Sequence, residues 1–531
     1  MAMRRKAVPQ AAQSRGRPKP FLAPTKGWVS ATNLAAAPAG SAQRLENFYP
    51  TTTGIKMRGG SQKHGTAHAT EPLESLMAYV GTTAREMFGA ADGDILDLTS
   101  PADPDVAPAA AVTGQTSDYY SHTNMATVGG NFMLCANGTD DIQKYDGSTW
   151  AALVSGAGVG ELNGLASDTV DHLNNYRNRI WLTDKTLTAY YLPTDSIAGT
   201  VGDVALAGVF RKGGYVMFTA TWSMDAGDGL DDKIVFVTTE GEIAVYQGDP
   251  VDATWGIVGL YDCSPPLGKN AFLKVGGDLL ILTEIGLVPM SAIISKDPAA
   301  LALAAISRNI QPDWVSEARA RRNLPWEIVK WTSRNIAYVT CPVASDTNDP
   351  ICFAVNLETG AWSKVTGWNT RCMILHDDWV YFGTNAGSLM QADVTGADDG
   401  ELIYYAYVGH ADHLGSIGQT KTLRQARAVF RTKTDFNPLL SVSVDYEISL
   451  PAYPSAAVIS GSPGEWDVGL WDVALWDTGL EYYTSTTRWV SIGVTGYAHH
   501  PQLQIVSGSA AMPSAELVMF DTLFEPAGYA V

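Results

Sequence analysis

The chain of 531 residues is short of cysteine and lacks a long apolar run. Its five cysteines are scattered and odd in number, and none belongs to a Cys-x-x-Cys pair, so the sequence indicates neither a disulfide framework nor a zinc site. We expect buried, reduced thiols of a protein made in a reducing cytoplasm. The longest apolar stretch, Ala299–Ile306, has eight residues, against the roughly 18 that a membrane helix needs. The cysteines are Cys135, Cys263, Cys341, Cys352 and Cys372.

The first residues also lack the features of a secretory signal. Their basic start is followed by no apolar core, which a signal peptide requires. An Arg-rich, acid-poor start would suit an organelle transit peptide, but Pro9, Pro18, Pro20 and Pro24 would break its amphipathic helix. We therefore predict an extended basic N-terminal arm over residues 1–70.

Positive charge is scarce outside that arm. The chain has 36 Lys and Arg residues against 55 Asp and Glu, a net charge of -19. Residues 1–70 contain eleven of the basic residues and a single acid, Glu46, so the remainder carries 25 basic and 54 acidic residues. A body this acidic will not hold DNA on its outer surface unaided, although it could repel DNA inside a channel and so let it slide.

Signatures of catalysis are missing as well. The sequence has no Gly-x-x-x-x-Gly-Lys-Ser/Thr phosphate loop and no Ser-x-Asp-x-Gly-x-x-Trp repeat of the sialidase type. We predict that the chain is not an enzyme and needs no cofactor.

What the sequence does contain is short apolar runs broken by glycine turns. Between Trp222 and Ser291, two such hairpins start 45 residues apart, and their Val, Ile and Leu content favours strands over helices. From residue 115 to 397 we count six such units. The DGSTW turn of the first matches the ETGAW turn of the fifth, which favours an internal repeat. The strand pairs are centred on 131–145, 179–192, 234–246, 279–290, 336–356 and 379–390.

Recurrence at this interval predicts an all-β chain built on an irregular six-bladed β-propeller over residues 115–399. A pair of β-sandwiches is the alternative. We expect a first hairpin and connector over 71–114, and two short helices split at Pro312 within an insertion at about 296–323. Alternating apolar residues after residue 400 predict a C-terminal antiparallel β-domain over 400–531.

Four carboxylates close together form the best metal candidate. They lie within eight residues and are accompanied by two glycines, so they could supply oxygen ligands to Ca²⁺. The spacing does not match an EF-hand, and a solvated turn that caps the next strand is the alternative. The four are Asp225, Asp228, Asp231 and Asp232.

Two further groups are candidates for contacts. Aromatic residues form possible interface anchors, although packing within the subunit would explain the three C-terminal tryptophans equally well. A basic group on predicted strands could contact phosphates in a DNA channel, or could form a solvated face or salt bridges. The aromatic group is Trp28, Phe48, Tyr49, Trp466, Trp471 and Trp476, and the basic group is Lys421, Arg424, Arg427, Arg431 and Lys433.

Several distinctive motifs lie at the start, middle and end of the chain. They are Gly27-Trp28, Asn33-Leu34, Leu45 to Pro50, Gly54, Arg58-Gly59-Gly60, the segment LMAYVGTTAREMFGAADGDILDLTS, the two central hairpins and WDVGLWDVALWD. Together they resemble structural tail proteins of short-tailed bacteriophages, the nozzle or tail-hub proteins also called DNA-stabilising proteins.

The resemblance implies a virion protein that forms a hexameric ring around a channel. Such a ring would dock to the adaptor, or head–tail connector, and to tail fibres, retain the packaged genomic DNA and later conduct it. Two other classes remain open. One is a carbohydrate-binding propeller that recognises the host surface, and the other is a propeller glycoside hydrolase, which would need two facing carboxylates.

Overall fold

Short antiparallel strands joined by tight turns make up most of the structure. The computed structural model describes residues 16–31, 37–223, 232–344, 349–433, 436–456, 483–509 and 511–529. Five strands precede the repeated part of the chain. They are β1 (Arg17–Leu22), β2 (Ala42–Glu46), β3 (Phe48–Pro50), β4 (Ile55–Met57) and β5 (Gly60–Thr66).

Seven small antiparallel sheets then follow one another within the described residues, and each inner strand contacts the next sheet to close a ring. This is a β-propeller. The first sheet contains β6 (Ser75–Val80), β7 (Arg85–Ala91), β8 (Asp94–Asp97) and β9 (Ala110–Val112), and the second contains β10 (Ser121–Thr127), β11 (Gly130–Ala136), β12 (Ile142–Tyr145) and β13 (Trp150–Leu153). The third contains β15 (His172–Tyr176), β16 (Arg179–Thr183), β17 (Thr188–Tyr191) and β19 (Gly202–Ala205), and beside it β14 (Leu162–Asn163) pairs with β18 (Gly199–Thr200). The fourth contains β20 (Val216–Trp222), β21 (Lys233–Thr238), β22 (Glu242–Gln247) and β23 (Gly256–Asp262).

The remaining three sheets complete the ring. They contain β24 (Phe272–Val275), β25 (Asp278–Thr283), β26 (Gly286–Pro289); β27 (Ile328–Trp331), β28 (Ile336–Thr340), β29 (Ile351–Asn356), β30 (Trp362–Thr366); and β31 (Thr370–His376), β32 (Trp379–Thr384), β33 (Ser388–Thr395).

The six predicted repeat units are confirmed as blades, and each predicted strand pair forms the middle or outer part of one sheet. The segment predicted as a hairpin and connector, 71–114, forms a further four-stranded sheet, β6–β9. This sheet contacts both the first and the last of the six units and lies between them in the ring.

The last blade is completed by the N-terminal part of the chain. Strand β5 pairs antiparallel with β33, with Thr66 opposite Ser388 and Gly60 opposite Thr395. The ring therefore closes through hydrogen bonds between segments more than 300 residues apart in sequence.

The helical insertion lies between the sheet β24–β26 and β27. It begins at Met290 and contains α1 (Met290–Ser295), α2 (Leu301–Ala304) and α3 (Gln311–Ala320). Pro312 occupies the first turn of α3, where its missing amide leaves no hydrogen bond unmade. In the part of the chain that the structure describes, no helix has the length and apolar character needed to cross a membrane.

The C-terminal β-domain is confirmed as antiparallel, but it is continuous with the propeller. Strand β2 joins the sheet β27–β30 to this domain, which makes one sheet of eight strands, and β1, β3 and β4 enter a second sheet with the longest strands, β35 and β40. The strands are β34 (Ile403–Gly409), β35 (Gln419–Thr432), β36 (Leu439–Val444), β37 (Tyr483–Thr486), β38 (Val490–Gly496), β39 (His499–Ser507) and β40 (Ala515–Tyr529).

The largest apolar core also crosses this boundary. It combines Leu280 of the propeller, Trp314 of α3, Phe353 of β29 and Phe520 of β40. Trp314 stacks on Phe353 with ring centroids 5.8 Å apart. Strands β1 to β5 are thus parts of these sheets and do not form the arm that we predicted. Most of their pairing partners lie hundreds of residues away and leave no local pattern in the sequence.

A buried arginine connects the N-terminal strands, the propeller and the C-terminal domain. All five N–H groups of Arg58 donate hydrogen bonds, and its side chain is fully buried. Nε donates to Asn47 Oδ1 at 2.8 Å, Nη1 to the Gly59 carbonyl at 2.7 Å and Nη2 to the Thr366 carbonyl at 2.9 Å. The two remaining bonds form a bidentate pair with Asp398, at 3.0 and 2.5 Å.

Asp398 is held from other directions as well. Its Oδ1 accepts from Trp368 Nε1 and from the Ser61 amide, each at 3.0 Å. Burial acts to raise the pKa of Asp398, but the Arg58 guanidinium outweighs it and keeps that pKa below its usual value. The ion pair therefore stays charged at neutral pH.

We predict that Arg58→Met destabilises the fold by about 3–5 kcal/mol, because Asp398 is left as a buried charge without its partner. Chemical unfolding of both proteins measures the difference. Arg44→Met is the matched control, since Arg44 pairs with Glu46 at the surface. The double variant Arg58→Met/Asp398→Leu should recover part of the loss, and a loss as small as the control's would contradict this role.

Candidate binding cavity on the propeller axis

Two cavities follow one another along the propeller axis, and a third adjoins them on one side. The residues just before the inner strands line an upper cavity of about 670 Å³, and the inner strands themselves line a central cavity of about 360 Å³. The ends of β15, β20 and β24 line the third, lower cavity of about 840 Å³. Asn174 and Phe272 line both the central and the lower cavity, so these two adjoin.

The central cavity is built by strands from around most of the ring. Six of the seven inner strands contribute, and the wall contains both polar and apolar residues. The polar residues are Ser121, His122, Thr123, His172, Asn174, Asn270 and Glu327, and the others are Leu76, Leu173, Phe272, Ile328, Val329, Met373 and Ile374.

Glu327 contributes a carboxyl group to the wall of the central cavity. Its Oε1 accepts from Asn270 Nδ2 at 3.1 Å, and its Oε2 accepts from the Met373 amide at 3.0 Å. Asn270 also donates to the Tyr120 carbonyl, which fixes the orientation of its amide. Enclosure by the blades raises the pKa of Glu327 from 4.5 to about 7, although these hydrogen bonds oppose the shift. The group therefore changes charge near neutral pH.

Two histidines on neighbouring strands face this cavity in neutral form. Burial lowers the pKa of His122 to about 4 and, with a contribution from Lys269, that of His172 to about 3. The Ala78 amide donates to His122 Nε2 at 3.5 Å, and the Thr219 amide donates to His172 Nδ1 at 3.4 Å. Each bond assigns the ring proton to the other nitrogen, so each ring has one N–H group, on Nδ1 of His122 and on Nε2 of His172.

Ion pairs surround the upper cavity. Lys269 Nζ lies 2.9 Å from Asp171 Oδ1 and donates to the Tyr119 carbonyl at 2.8 Å. Burial lowers the pKa of Lys269, and Asp171 opposes that shift. Arg371 forms a bidentate pair with Glu74 at 2.7 and 2.6 Å. The charged side chains around the upper cavity are thus largely paired with one another.

An aromatic ring, Phe272, lines both the central and the lower cavity. Phe272 is partly exposed and stacks on the buried Phe218, with centroids 4.8 Å apart and an angle of 15° between the rings. A cavity of this volume suits a small molecule and is far too narrow for a DNA duplex. The axis of the propeller is therefore not itself a path for DNA.

The three N-terminal interface candidates lie inside the chain's own core. Trp28 is 6% exposed, Phe48 1% and Tyr49 5%. Tyr338 donates from its hydroxyl to the Tyr49 hydroxyl at 2.8 Å. These residues are packing anchors for the N-terminal strands, so the prediction that they contact another subunit is wrong. Trp466, Trp471 and Trp476 lie outside the described residues.

The basic cluster lies on and just beyond β35, and much of its charge is matched by acids of β40. Arg424 contacts Glu525 at 3.0 Å, and Arg427 contacts Asp521 at 2.9 Å.

The other members of the cluster differ in exposure and position. Arg431 lies 3.8 Å from Glu516, and Lys433 follows the end of β35. Lys421 is 1% exposed, and its ammonium donates to the Ser416 carbonyl, so the possibility of a DNA contact does not hold for this residue. Salt bridges, the alternative given above, thus account for the three arginines. We call these arginines and their acidic partners the charge ladder, which consists of Arg424, Arg427, Arg431, Glu525, Asp521 and Glu516.

The proposed calcium loop is mostly outside the described residues, which include only Asp232 of the four carboxylates. Asp232 is buried beside the start of β21, and its backbone carbonyl accepts from the Tyr176 hydroxyl at 2.9 Å. Across the described ranges, no three His, Cys, Asp or Glu side chains are grouped as a metal site would need. All five cysteines are buried and unpaired, as predicted.

Sequence reasoning missed every polar residue of the central cavity. His122 and His172 occupy the same place in consecutive blades, one or no residues after the start of an inner strand. An alignment of the blades would have revealed this recurrence. Glu327 lies just before β27, and only the closed ring brings it opposite the histidines.

We predict that Glu327→Gln removes a pH dependence of stability. The folded-state pKa of Glu327 is raised from 4.5 to about 7, so the folded state binds the proton more tightly and stability falls as pH rises through that interval. The buried histidines act in the opposite sense, but they do so in both proteins. Thermal unfolding from about pH 5 to pH 8 should show a steeper loss for the unmodified chain, and parallel profiles would contradict the assignment.

We predict a weak coupling between Arg427 and Asp521. The pair lies at the surface, where ion pairs contribute about 0.2–1 kcal/mol. A double-mutant cycle with Arg427→Ala and Asp521→Ala, followed by chemical unfolding, measures it. A coupling of several kcal/mol would mean that the ladder carries much of the stability of the domain.

Comparisons with known proteins add little to this picture. No protein-family model matches the chain, and no curated protein matches it. Among solved structures, the WD40 β-propeller domain of Doa1 is 10% identical, with 63% of this chain and 97% of that chain covered and a TM-score of 0.37. The computationally designed Ika8 protein is 11% identical, with 65% and 95% covered and a TM-score of 0.34. The fold is established by the closed ring of sheets described above.

Proposed function

We propose that this chain is a structural tail protein of a short-tailed bacteriophage. Copies of it form a ring below the portal and adaptor, and the ring retains the packaged genome and then conducts it. The observation that carries the proposal is the location of the N-terminal motif residues. Arg58 pairs with Asp398 and is held by Asn47, while Gly59 and Gly60 lie against Asp393 and Ala397, at the joint between the propeller and the C-terminal domain.

These residues hold the N-terminal strands, the propeller and the C-terminal domain together. The resemblance to the tail proteins in these residues therefore bears on the arrangement of all three parts, and not only on the local sequence. The shared eight-stranded sheet and the shared core make the propeller and the C-terminal domain one mechanical unit. A rigid subunit of this kind suits a ring that resists the pressure of packaged DNA.

The channel for DNA would lie between copies of the chain, because the propeller axis holds only small cavities. The net charge of -19 favours a channel wall that repels the phosphate backbone and lets it slide. The basic residues before residue 31 are suited to acidic neighbours such as the adaptor, and Lys19 already pairs with Asp412 at 3.0 Å within the chain. Adaptor, tail fibres and further copies are the proposed partners.

We predict that the purified chain, mixed with the portal–adaptor complex of its phage, forms a six-fold ring with an axial hole. Electron microscopy of the mixture and of the chain alone tests this. Arg58→Met should reduce ring occupancy together with stability, whereas Arg44→Met should leave both unchanged. A persistent monomer of 56.8 kDa that never joins the complex would refute the proposal.

A further inference from the structure

We infer that the central cavity of the propeller binds a small, uncharged, hydroxyl-rich ligand of monosaccharide size. This goes beyond the structural role proposed above and does not depend on it. The inference rests on the hydrogen-bonding groups, the charge and the shape of the cavity wall.

The wall offers donors and acceptors on opposite sides. His122 and His172 each present an N–H group, because backbone amides occupy their other ring nitrogens. Across the cavity, the Glu327 carboxyl has lone pairs beyond those used by Asn270 and Met373. A hydroxyl group both donates and accepts, so adjacent hydroxyls on one small molecule can satisfy both sides at once.

The charge of the wall favours a neutral ligand. Both histidines are uncharged at neutral pH, and Lys269 directs its ammonium to Asp171 and the Tyr119 carbonyl. An anion would face Glu327, and a cation would face two N–H donors with Lys269 close by. A charged ligand would thus lose hydration without gaining a matched partner.

The shape of the wall adds an apolar platform. Phe272 lines the cavity and is held in place by its stacking on Phe218. The C–H face of a sugar ring can pack on such a plane while its hydroxyls reach the polar wall. The volume of about 360 Å³ lies at the small end of ligand pockets.

Binding, and not hydrolysis, is the activity that the wall supports. Glycoside hydrolysis ordinarily uses two carboxyl groups that flank the bond, and the wall contributes one, Glu327. The notion of a carbohydrate-binding propeller thus gains a specific location.

Calorimetry and ligand-observed NMR on the full chain test the inference. The probes are glucose, galactose, mannose and N-acetylglucosamine, at concentrations up to the order of 10 mM, with choline and inorganic phosphate as charged probes. At least one sugar should bind, and more tightly than either charged probe. His172→Phe should weaken it roughly tenfold, the effect of one lost hydrogen bond.

His376→Phe is the matched control, because His376 is also a buried histidine of lowered pKa but does not line the cavity. It should leave the affinity unchanged. If His172→Phe fails to fold, Glu327→Gln replaces it and should also weaken binding. The inference is overturned if no sugar binds, if a charged probe binds more tightly, or if the control weakens binding as much as the cavity variant.

Discussion

The ion pair between Arg58 and Asp398 is the constraint on which the rest of the structure depends. A buried guanidinium is tolerated only when every N–H group finds an acceptor, and three of the five acceptor atoms around Arg58, the Thr366 carbonyl and both carboxylate oxygens of Asp398, come from more than 300 residues away. Satisfying them places the N-terminal strands, the end of β30 and the link to the C-terminal domain together. The geometry of the joint follows from the electrostatics of one side chain.

Close backbone contacts reinforce that joint. A Cβ atom at Gly60 would collide with the Ala397 carbonyl, and one at Gly54 would collide with the Leu517 carbonyl. Only glycine allows the N-terminal strands to approach the blade and β40 so closely. Gly54 and Gly60 belong to the N-terminal stretch that carries the motifs described above. Glycine is needed there because the N-terminal strands close the propeller ring and join it to the C-terminal domain.

The hairpins were predictable from sequence, and their long-range partners were not. Runs such as 234–246 reveal strands because side-chain alternation and Gly turns are local properties. The pairing of β5 with β33 and of β1 with β40 leaves no local trace, so the sequence predicts an arm for the N-terminal part. The central cavity could not be predicted from the sequence for the same reason. His122, His172 and Glu327 are isolated polar residues in the sequence, and only the closed ring brings them together.

The distribution of charge connects the fold to the proposed role. Within the charge ladder, Arg424 and Arg427 are paired with carboxylates of the adjacent strand, and Lys421 of the same basic cluster is buried. Much of the positive charge that could have contacted DNA is thus used within the domain. What a ring of such chains would present to DNA is the excess of acidic residues, and repulsion of phosphates from a channel wall favours passage over retention by binding. Retention would then have to be steric, which a rigid propeller joined to a β-domain through one continuous sheet is suited to provide.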